Sequence, residues 1–278
     1  MVVDEYVRGR PAAALAPFVA GYSGYRQRGV APMRHLGLPS PYLTMILTMD
    51  EPLVMAAHPD PRQPPGSYDS LIGGLHLTPA VIVHEGRQSG VQVALRPLGC
   101  RALLGVPAAE LVGLDVDASA LLGSTVVAQL RERLCLAADW PSRFAVVDSV
   151  LRAHLRGDKS VKPEVAYAYG SIVSGQSVKS VAAEVGWSDR HLTNRFRAEV
   201  GLRPKETARV ARFDRARRAL HPGTLIGDVA AAHGYADQSH LVREFRALAG
   251  CTPSEWISEQ FDFIQAVQLE PAHDGQHD

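Results

Sequence analysis

The chain has 278 residues, of which 46% are hydrophobic and 21% charged, enough for two globular domains of ordinary size. Its apolar runs fall short of the about 20 residues that a membrane-spanning helix needs. The charged N-terminus, Met1 to Arg10, lacks the apolar core of a signal peptide. Three widely spaced cysteines (Cys100, Cys135 and Cys251) form neither a disulfide framework nor a metal-binding pair. We therefore expect a cytoplasmic protein with no membrane partner.

Residues 1–118 are predicted to form a β-rich sensing or regulatory domain. Apolar runs rich in strand-forming residues alternate there with segments that contain proline and glycine. The clearest loop, His58 to Ser67, holds four prolines. Short strands with frequent turns are typical of a small β-barrel or sandwich. The predicted strands are Tyr42 to Met49, Leu53 to Ala57, Leu71 to His76, Ala80 to His84 and Val91 to Leu95.

Helical periodicity replaces this strand pattern in residues 119–158. Two series of apolar residues are separated by Trp140-Pro141, and Pro141 suits the first turn of the second helix. The helical pair is interpreted either as a layer that packs on the sheet or as a dimerisation surface, and the sequence leaves both open. The two series are Leu122, Val126, Leu130, Leu134 and Phe144, Val147, Leu151, Leu155.

Positive charge is concentrated in the C-terminal third, although the net charge of the whole chain is zero. Residues 165–258 contain 13 Lys and Arg against 9 Asp and Glu. Seven basic residues lie between Arg203 and Arg218, with only Glu206 and Asp214 among them. Phosphate neutralisation depends on the local density of positive charge rather than on the overall balance. The distribution therefore favours nucleic-acid binding by this part of the chain.

An internal repeat marks the predicted DNA-binding domain, residues 159–258. Val178 to Gly186 reads VKSVAAEVG and Ile226 to Gly234 reads IGDVAAAHG. Each copy predicts a short helix, a left-handed glycine at the turn, and a second helix capped by Ser188 or Asp237. This is helix-turn-helix geometry. One copy alone would equally describe two solvated amphipathic helices, and the matched pair favours DNA binding.

The second helix of each copy is predicted to have one buried and one exposed face. Leu192 and Phe196 lie on the buried face of the first copy, and Leu241 and Phe245 on that of the second. The exposed faces carry Arg, Asn and Gln, which make paired hydrogen bonds to guanine or adenine in the major groove. The predicted DNA contacts are Arg190, Thr193, Asn194 and Arg197, then Gln238, Ser239, His240, Arg243 and Arg246.

A helix over Pro204 to Leu220 is predicted to join the two copies. Its outward-facing side chains are predicted to be Arg212, Arg215 and Arg218. The first two are predicted to contact DNA phosphates. Arg217 falls on the apolar side of this helix and needs a partner such as Asp214. A stiff connector would hold the two reading helices in successive major grooves, about 34 Å apart.

On these features the C-terminal domain resembles the DNA-binding domain of the AraC/XylS family of transcription regulators. The most specific stretch is GYADQSHLVREFRALAGCTPSEW, Gly234 to Trp256, and the resemblance spans about Val165 to Trp256. It implies binding to double-stranded DNA through two adjacent major grooves. RNA polymerase, a small-molecule effector and a second copy of the chain are further candidate partners. Asn194 stands where an arginine is common, so the base preference of the first unit is expected to differ.

The N-terminal part resembles the β-rich domain found before this module in a subset of actinobacterial-type regulators. The stretch that carries this resemblance is Gly73 to Gly105. Two interpretations stay open for it, a small-ligand sensor and a dimerisation or docking domain. The residues that we select as candidate ligand contacts are Tyr22, Tyr25, His76, His84 and Arg96.

An enzymatic N-terminal domain is the alternative hypothesis, in the form of a DNA-tethered, cupin-like metal enzyme. Such a site needs an HxH pair with a downstream Glu and His. The four histidines that could take part (His35, His58, His76 and His84) do not have this spacing. We therefore expect no catalytic residue, no metal and no cofactor. The C-terminal residues 259–278 are predicted to be a partly disordered tail, polar from Glu270 to Asp278.

Overall fold

The structure, a computed structural model, describes residues 2–156 and 161–258. The predicted tail, 259–278, lies outside the described residues, as does part of the predicted boundary before the DNA-binding domain. Strands dominate the described chain as far as Asp117, and helices dominate it from Ser119 onward. The predicted α+β class, a β-rich N-terminal part followed by a helical C-terminal part, is confirmed.

The N-terminal part contains two antiparallel sheets. Its strands are β1 (Val3–Gly9), β2 (Val19–Arg28), β3 (Met33–Gly37), β4 (Leu43–Thr48), β5 (Leu53–Ala57), β6 (Gly66–Tyr68), β7 (Ser70–Gly73), β8 (Ala80–His84), β9 (Arg87–Leu95) and β10 (Asp115–Asp117). Six strands form one sheet in the order β1-β2-β9-β4-β7-β10, and four form the other in the order β3-β8-β5-β6. Both sheets are open, so the described strands form a sandwich and not a closed barrel.

Several predicted strands are confirmed, and the differences have local causes. The predicted strand Leu71 to His76 ends early, at Gly73, because the next residue approaches the backbone of Leu111. A Cβ at Gly74 would overlap the Leu111 carbonyl group. The predicted loop His58 to Ser67 is confirmed except at its end, where β6 begins.

The six-stranded sheet is buried on both faces, because side chains alternate along each strand. Met45 and Leu47 of β4 point to a core that they share with the helices. Ile46, between them, points to a smaller core against the second sheet, where it meets Met55 and Ile82. The helices, the large sheet and the small sheet therefore form three successive layers.

The helical pair predicted in residues 119–158 packs on the large sheet. The helices of this region are α1 (Cys100–Leu104), α2 (Ser119–Leu122), α3 (Ser124–Leu136) and α4 (Trp140–His154). The ring of Trp140 lies so close to Gly24 that a Cβ there would overlap it. Tyr22 stacks on Phe144 with ring centroids 5.6 Å apart, and its hydroxyl donates to Asp148 at 2.7 Å. These contacts show that the helical pair is a layer packed on the sheet, one of its two interpretations. Dimerisation through the pair stays a prediction.

The C-terminal part consists of two helix-turn-helix units joined by one helix. Its elements are α5 (Pro163–Ser174), α6 (Val178–Glu184), α7 (Asp189–Val200), α8 (Pro204–Ala219), α9 (Ile226–Ala232) and α10 (Gln238–Ala249), followed by helical residues 253–258. Unit 1 is α6 and α7, unit 2 is α9 and α10, and α8 is the linker helix. The predicted duplicated architecture and its connector are confirmed.

The N-terminal part and the two units share extensive contacts. Arg101 of α1 donates from Nε to Glu199 of α7 at 2.7 Å. The Tyr169 hydroxyl of α5 donates to the Pro41 carbonyl oxygen at 2.9 Å. Leu38 and Leu77, from loops of the N-terminal part, pack on the core of unit 2. The position of each unit is therefore fixed by contacts with the sheet-bearing part.

Candidate nucleic-acid interface and cavity

Each unit is built from the local signals that its sequence contains. Gly186 and Gly234 have φ values of 71° and 76°, a left-handed conformation that favours glycine and lets the chain reverse between the two helices. The Ser188 side chain accepts from the backbone N–H of His191 at 3.2 Å, and the Asp237 carboxylate accepts from that of His240 at 2.6 Å. Both predicted helix caps are confirmed, and they fix where α7 and α10 begin.

In unit 1 the polar face of α7 is available to a partner. Leu192 and Phe196 are fully buried on the opposite face, as predicted. Three of the four predicted DNA contacts (Arg190, Asn194 and Arg197) are exposed, and Thr193 is partly exposed beside them.

Unit 2 repeats this arrangement on α10. Leu241 and Phe245 are fully buried. Of the predicted contacts, His240 is the least free, because its ring packs edge-on against Tyr235 at 5.2 Å and accepts from the Ala236 N–H at 3.3 Å. The exposed predicted contacts of α10 are Gln238, Ser239, Arg243 and Arg246.

A basic groove runs beside the exposed face of α7, between unit 1 and the start of the linker helix. Its floor contains Thr193 and Asn194. The sequence analysis assigned none of four of its basic residues to an individual contact, although three of them belong to the dense run of positive charge that begins at Arg203. Since phosphate contacts position a protein on DNA, these four extend the candidate interface. They are Lys179, Arg203, Lys205 and Arg209.

Arg212 and Arg215 of the linker helix, predicted to contact phosphate, both have partners within the protein. Arg212 lines the same groove and donates from Nη2 to the Glu244 carboxylate at 2.6 Å. The Nη1 of Arg215, an exposed residue, donates to the Val173 carbonyl oxygen at 2.7 Å. Contact with a phosphate therefore requires each arginine to share or exchange a protein acceptor.

Glu244 is the centre of a buried cluster between the linker helix and α10. Its carboxylate accepts from Arg212 and from the Tyr235 hydroxyl at 2.8 Å, and the Nε of Arg209 lies 3.3 Å from it. The Arg212 guanidinium also stacks over the Tyr235 ring at 4.8 Å. Burial raises the pKa of the Tyr235 hydroxyl, and the neighbouring carboxylate raises it further. The phenol therefore stays a hydrogen-bond donor to Glu244.

Asp214 forms a second buried ion cluster on the linker helix. The predicted pairing is confirmed, since Arg217 donates to it from Nη2 at 2.7 Å. The prediction that Arg218 faces away from the protein is wrong: it is mostly buried and donates from Nε to the same carboxylate at 2.8 Å. Burial alone would raise the pKa of Asp214, but the two guanidinium groups lower it below its usual value.

A cavity of about 170 Å³ lies between the two sheets and the linker helix. Two of the five candidate ligand residues, Tyr25 and His76, line it. The other three do not. Tyr22 is held under α4 by Asp148, His84 lies behind His35, and Arg96 donates to the Ala16 carbonyl oxygen at 3.1 Å. These three positions depend on the tertiary packing, which residue type alone does not indicate.

The sequence analysis missed several polar residues that do line the cavity. Gln88 and Gln92 project from β9 on one face, and their i, i+4 spacing in this strand could have indicated them. His35 projects from β3. Burial, with the nearby His84, lowers the pKa of His35 to about 3, so this imidazole is neutral at neutral pH.

The four histidines considered for a metal site do not form one cluster among the described residues. His58 pairs with Asp115 at 2.7 Å in a buried position, away from the pair formed by His35 and His84. Among residues 2–156 and 161–258, no three His, Cys, Asp or Glu side chains come together as metal ligands would. The cupin-like alternative gains no support from this arrangement. None of the described helices has the length and apolarity for a membrane crossing.

Two families of protein domains match the chain. Residues 175–259 match a helix-turn-helix domain, a span that includes both units. Residues 7–117 match a domain of unknown function, DUF6597. No curated protein sequence matches the chain.

Solved structures of regulators show limited similarity to the chain. ToxT from Vibrio cholerae is 11% identical with a TM-score of 0.49, over 86% of this chain and 97% of ToxT. The C-terminal domain of AraT, a response regulator from Geobacillus stearothermophilus, is 19% identical with a TM-score of 0.34, over 43% and 97%. The DNA-binding domain of AdpA, a global transcriptional factor solved with a target DNA, is 25% identical with a TM-score of 0.31, over 35% and 89%.

Proposed function

We propose that the chain is a transcription regulator of the AraC/XylS type. Its two units then read one duplex sequence through two adjacent major grooves. The observation that carries this proposal is the pairing of two exposed polar helix faces, on α7 and α10, across a single linker helix. Each face presents side chains that form hydrogen bonds with base edges, and each opposite face is held in a core.

The proposed contacts divide into two kinds. Base contacts come from Arg190, Thr193, Asn194 and Arg197 in unit 1, and from Gln238, Ser239, His240, Arg243 and Arg246 in unit 2. Phosphate contacts come from Lys179, Arg203 and Lys205 of the basic groove and from Arg215 on the linker helix, while Arg209 and Arg212 are held by Glu244. The first kind gives sequence preference, while the second gives affinity that falls with salt.

The N-terminal part is proposed to control DNA binding through a small ligand in the cavity. The cavity combines apolar walls with a few polar groups, as ligand sites do. The cavity also borders the linker helix, which joins the two units. A second copy of the chain and RNA polymerase are further proposed partners, and we propose a cytoplasmic, non-enzymatic role with no cofactor.

Selection of bound sequences from a random duplex library, with the purified full chain, tests the DNA-reading proposal. We expect one enriched sequence with two half-sites. Arg190→Ala and Arg243→Ala should each weaken binding to it by about 1–3 kcal/mol and relax one base preference. Arg133→Ala is the matched control, since Arg133 is exposed on α3, and it should bind like the unaltered protein. If both variants in the units also bind like the unaltered protein, the assignment of base contacts is wrong.

A further inference from the structure

The small sheet has an outer face that is apolar although it points away from the large sheet. On its inner face Met55 and Ile82 lie in the core between the two sheets. Val54 and Val83 alternate with them and are cross-strand neighbours, so both point outward together with Val81. Val54 is 40% exposed, and the other two valines are half-buried. An antiparallel sheet with one solvated face usually alternates apolar and polar residues, whereas β5 and β8 are apolar on both sides, as in a sheet that is covered on both faces.

The chain leaves unit 2 beside one end of this sheet. Leu77, three residues before β8, packs on the core of unit 2, and so does Ile257. Gly250 lies against Pro79, the residue that precedes β8, since a Cβ at Gly250 would be 3.7 Å from the Pro79 ring. The residues that follow Ser258 therefore start near the end of the small sheet at which β8 begins.

The sequence after Ser258 contains an apolar segment of matching length, residues 261–269. Two residues of extended chain precede it, and its own nine residues span about 30 Å when extended. Strand β8, with five residues, is about 17 Å long, so the segment can reach the outer face and cross it. Six of its nine side chains are apolar: Phe261, Phe263, Ile264, Ala266, Val267 and Leu269.

We propose that residues 261–269 dock on the outer face of the small sheet and cover its three valines. Docking removes apolar surface of both partners from water, which is its driving force. Charge favours the same arrangement, because residues 259–278 include five Asp and Glu but no Lys or Arg, and Arg34 is the cross-strand neighbour of Val83 on this face. Since the segment continues from helical residues 253–258, docking ties unit 2 to the N-terminal part. This inference depends neither on a ligand in the cavity nor on DNA reading.

Photo-crosslinking of the full chain tests which partner occupies the outer face. With Val54→benzoylphenylalanine we expect a crosslink to residues 259–270 of the same chain. Trypsin releases residues 247–278 as one peptide, because no Lys or Arg follows Arg246, and fragmentation of the crosslinked peptide then locates the contact. The matched control is Leu136→benzoylphenylalanine. Leu136 is 78% exposed at the end of α3, in the helical layer on the other side of the large sheet, and should give no such product.

Changes in the segment itself test whether its apolar side chains cause the docking. Phe263→Ser combined with Ile264→Ser should lower the yield of the Val54 crosslink about tenfold, because two large apolar side chains no longer contribute burial. A chain that ends at Glu270 keeps the apolar segment and should keep the crosslink. A product of twice the chain mass would assign the face to a second copy and overturn the proposal. Absence of the intrachain product, an equal product from the Leu136 control, or a yield that the two serines leave unchanged overturns it as well.

Discussion

Replacing Glu244 with glutamine should make DNA binding stronger at low salt and less selective. The Glu244 carboxylate is 6% exposed, and two arginines that line the groove of unit 1, Arg209 and Arg212, are paired with it. Glutamine keeps the shape and a hydrogen-bond acceptor for Tyr235 but removes the negative charge. Both guanidinium groups, about a third exposed, then become free to neutralise phosphates.

The size of the effect follows from counterion release. Each additional phosphate neutralised on duplex DNA makes the slope of log affinity against log salt steeper by about 0.9. Two freed arginines therefore add up to about 1.8 to the slope. Between about 50 and 200 mM salt this makes the fall in affinity about tenfold larger. The substitution should also cost about 1–3 kcal/mol of folding free energy, because a charged hydrogen-bond network is broken.

Fluorescence anisotropy on a labelled duplex of arbitrary sequence, at four salt concentrations, measures this slope. Glu184→Gln is the matched control: it removes the same charge from α6 of unit 1, where Glu184 is exposed and bonded to Tyr167 and Ser180. We expect the control slope to equal that of the unaltered protein. A Glu244→Gln slope that matches the control refutes the idea that this carboxylate withholds two arginines from DNA.

Three further predictions concern the frame that holds the interface. Asp237→Ala should lower the free energy of unfolding by about 1 kcal/mol, measured by urea unfolding, because it removes the cap of α10; Glu132→Ala, at an exposed position in the middle of α3, should have little effect. Gly24→Ala should destabilise the protein by about 1–3 kcal/mol, seen as a lower melting temperature, because the new Cβ overlaps Trp140; unchanged melting would contradict that packing. Burial lowers the pKa of His35 to about 3, whereas the value in the unfolded chain is near 6.5. The free energy of unfolding should therefore be highest above pH 6.5 and fall as the pH drops toward 3, by about 2 kcal/mol at pH 5. His35→Gln should reduce this pH dependence, and an unchanged dependence would assign it elsewhere.

The C-terminal part could be predicted in detail because its signals are local. The glycines at 186 and 234 and the caps at Ser188 and Asp237 act within a few residues of their own position. Helical periodicity then assigns the buried and exposed faces of α7 and α10 without reference to the rest of the chain.

The cavity could not be predicted in the same way, because long-range contacts determine its lining. Strand β2 reads VAGYSGYRQR, with two glycines and several polar residues, so apolar alternation does not mark it. Tyr22 and Tyr25 of this strand differ in role only because one faces α4 and the other the second sheet. Arg218 turns inward because Asp214, one helical turn earlier, is itself buried.

Hydroxyl-radical footprinting of the full chain on its selected duplex tests most directly whether both units bind DNA together. We predict two protected stretches on one face of the duplex, with centres about 10 base pairs apart. Arg190→Ala should weaken one stretch and Arg243→Ala the other. A single stretch that loses protection equally in both variants would contradict simultaneous reading of two adjacent grooves.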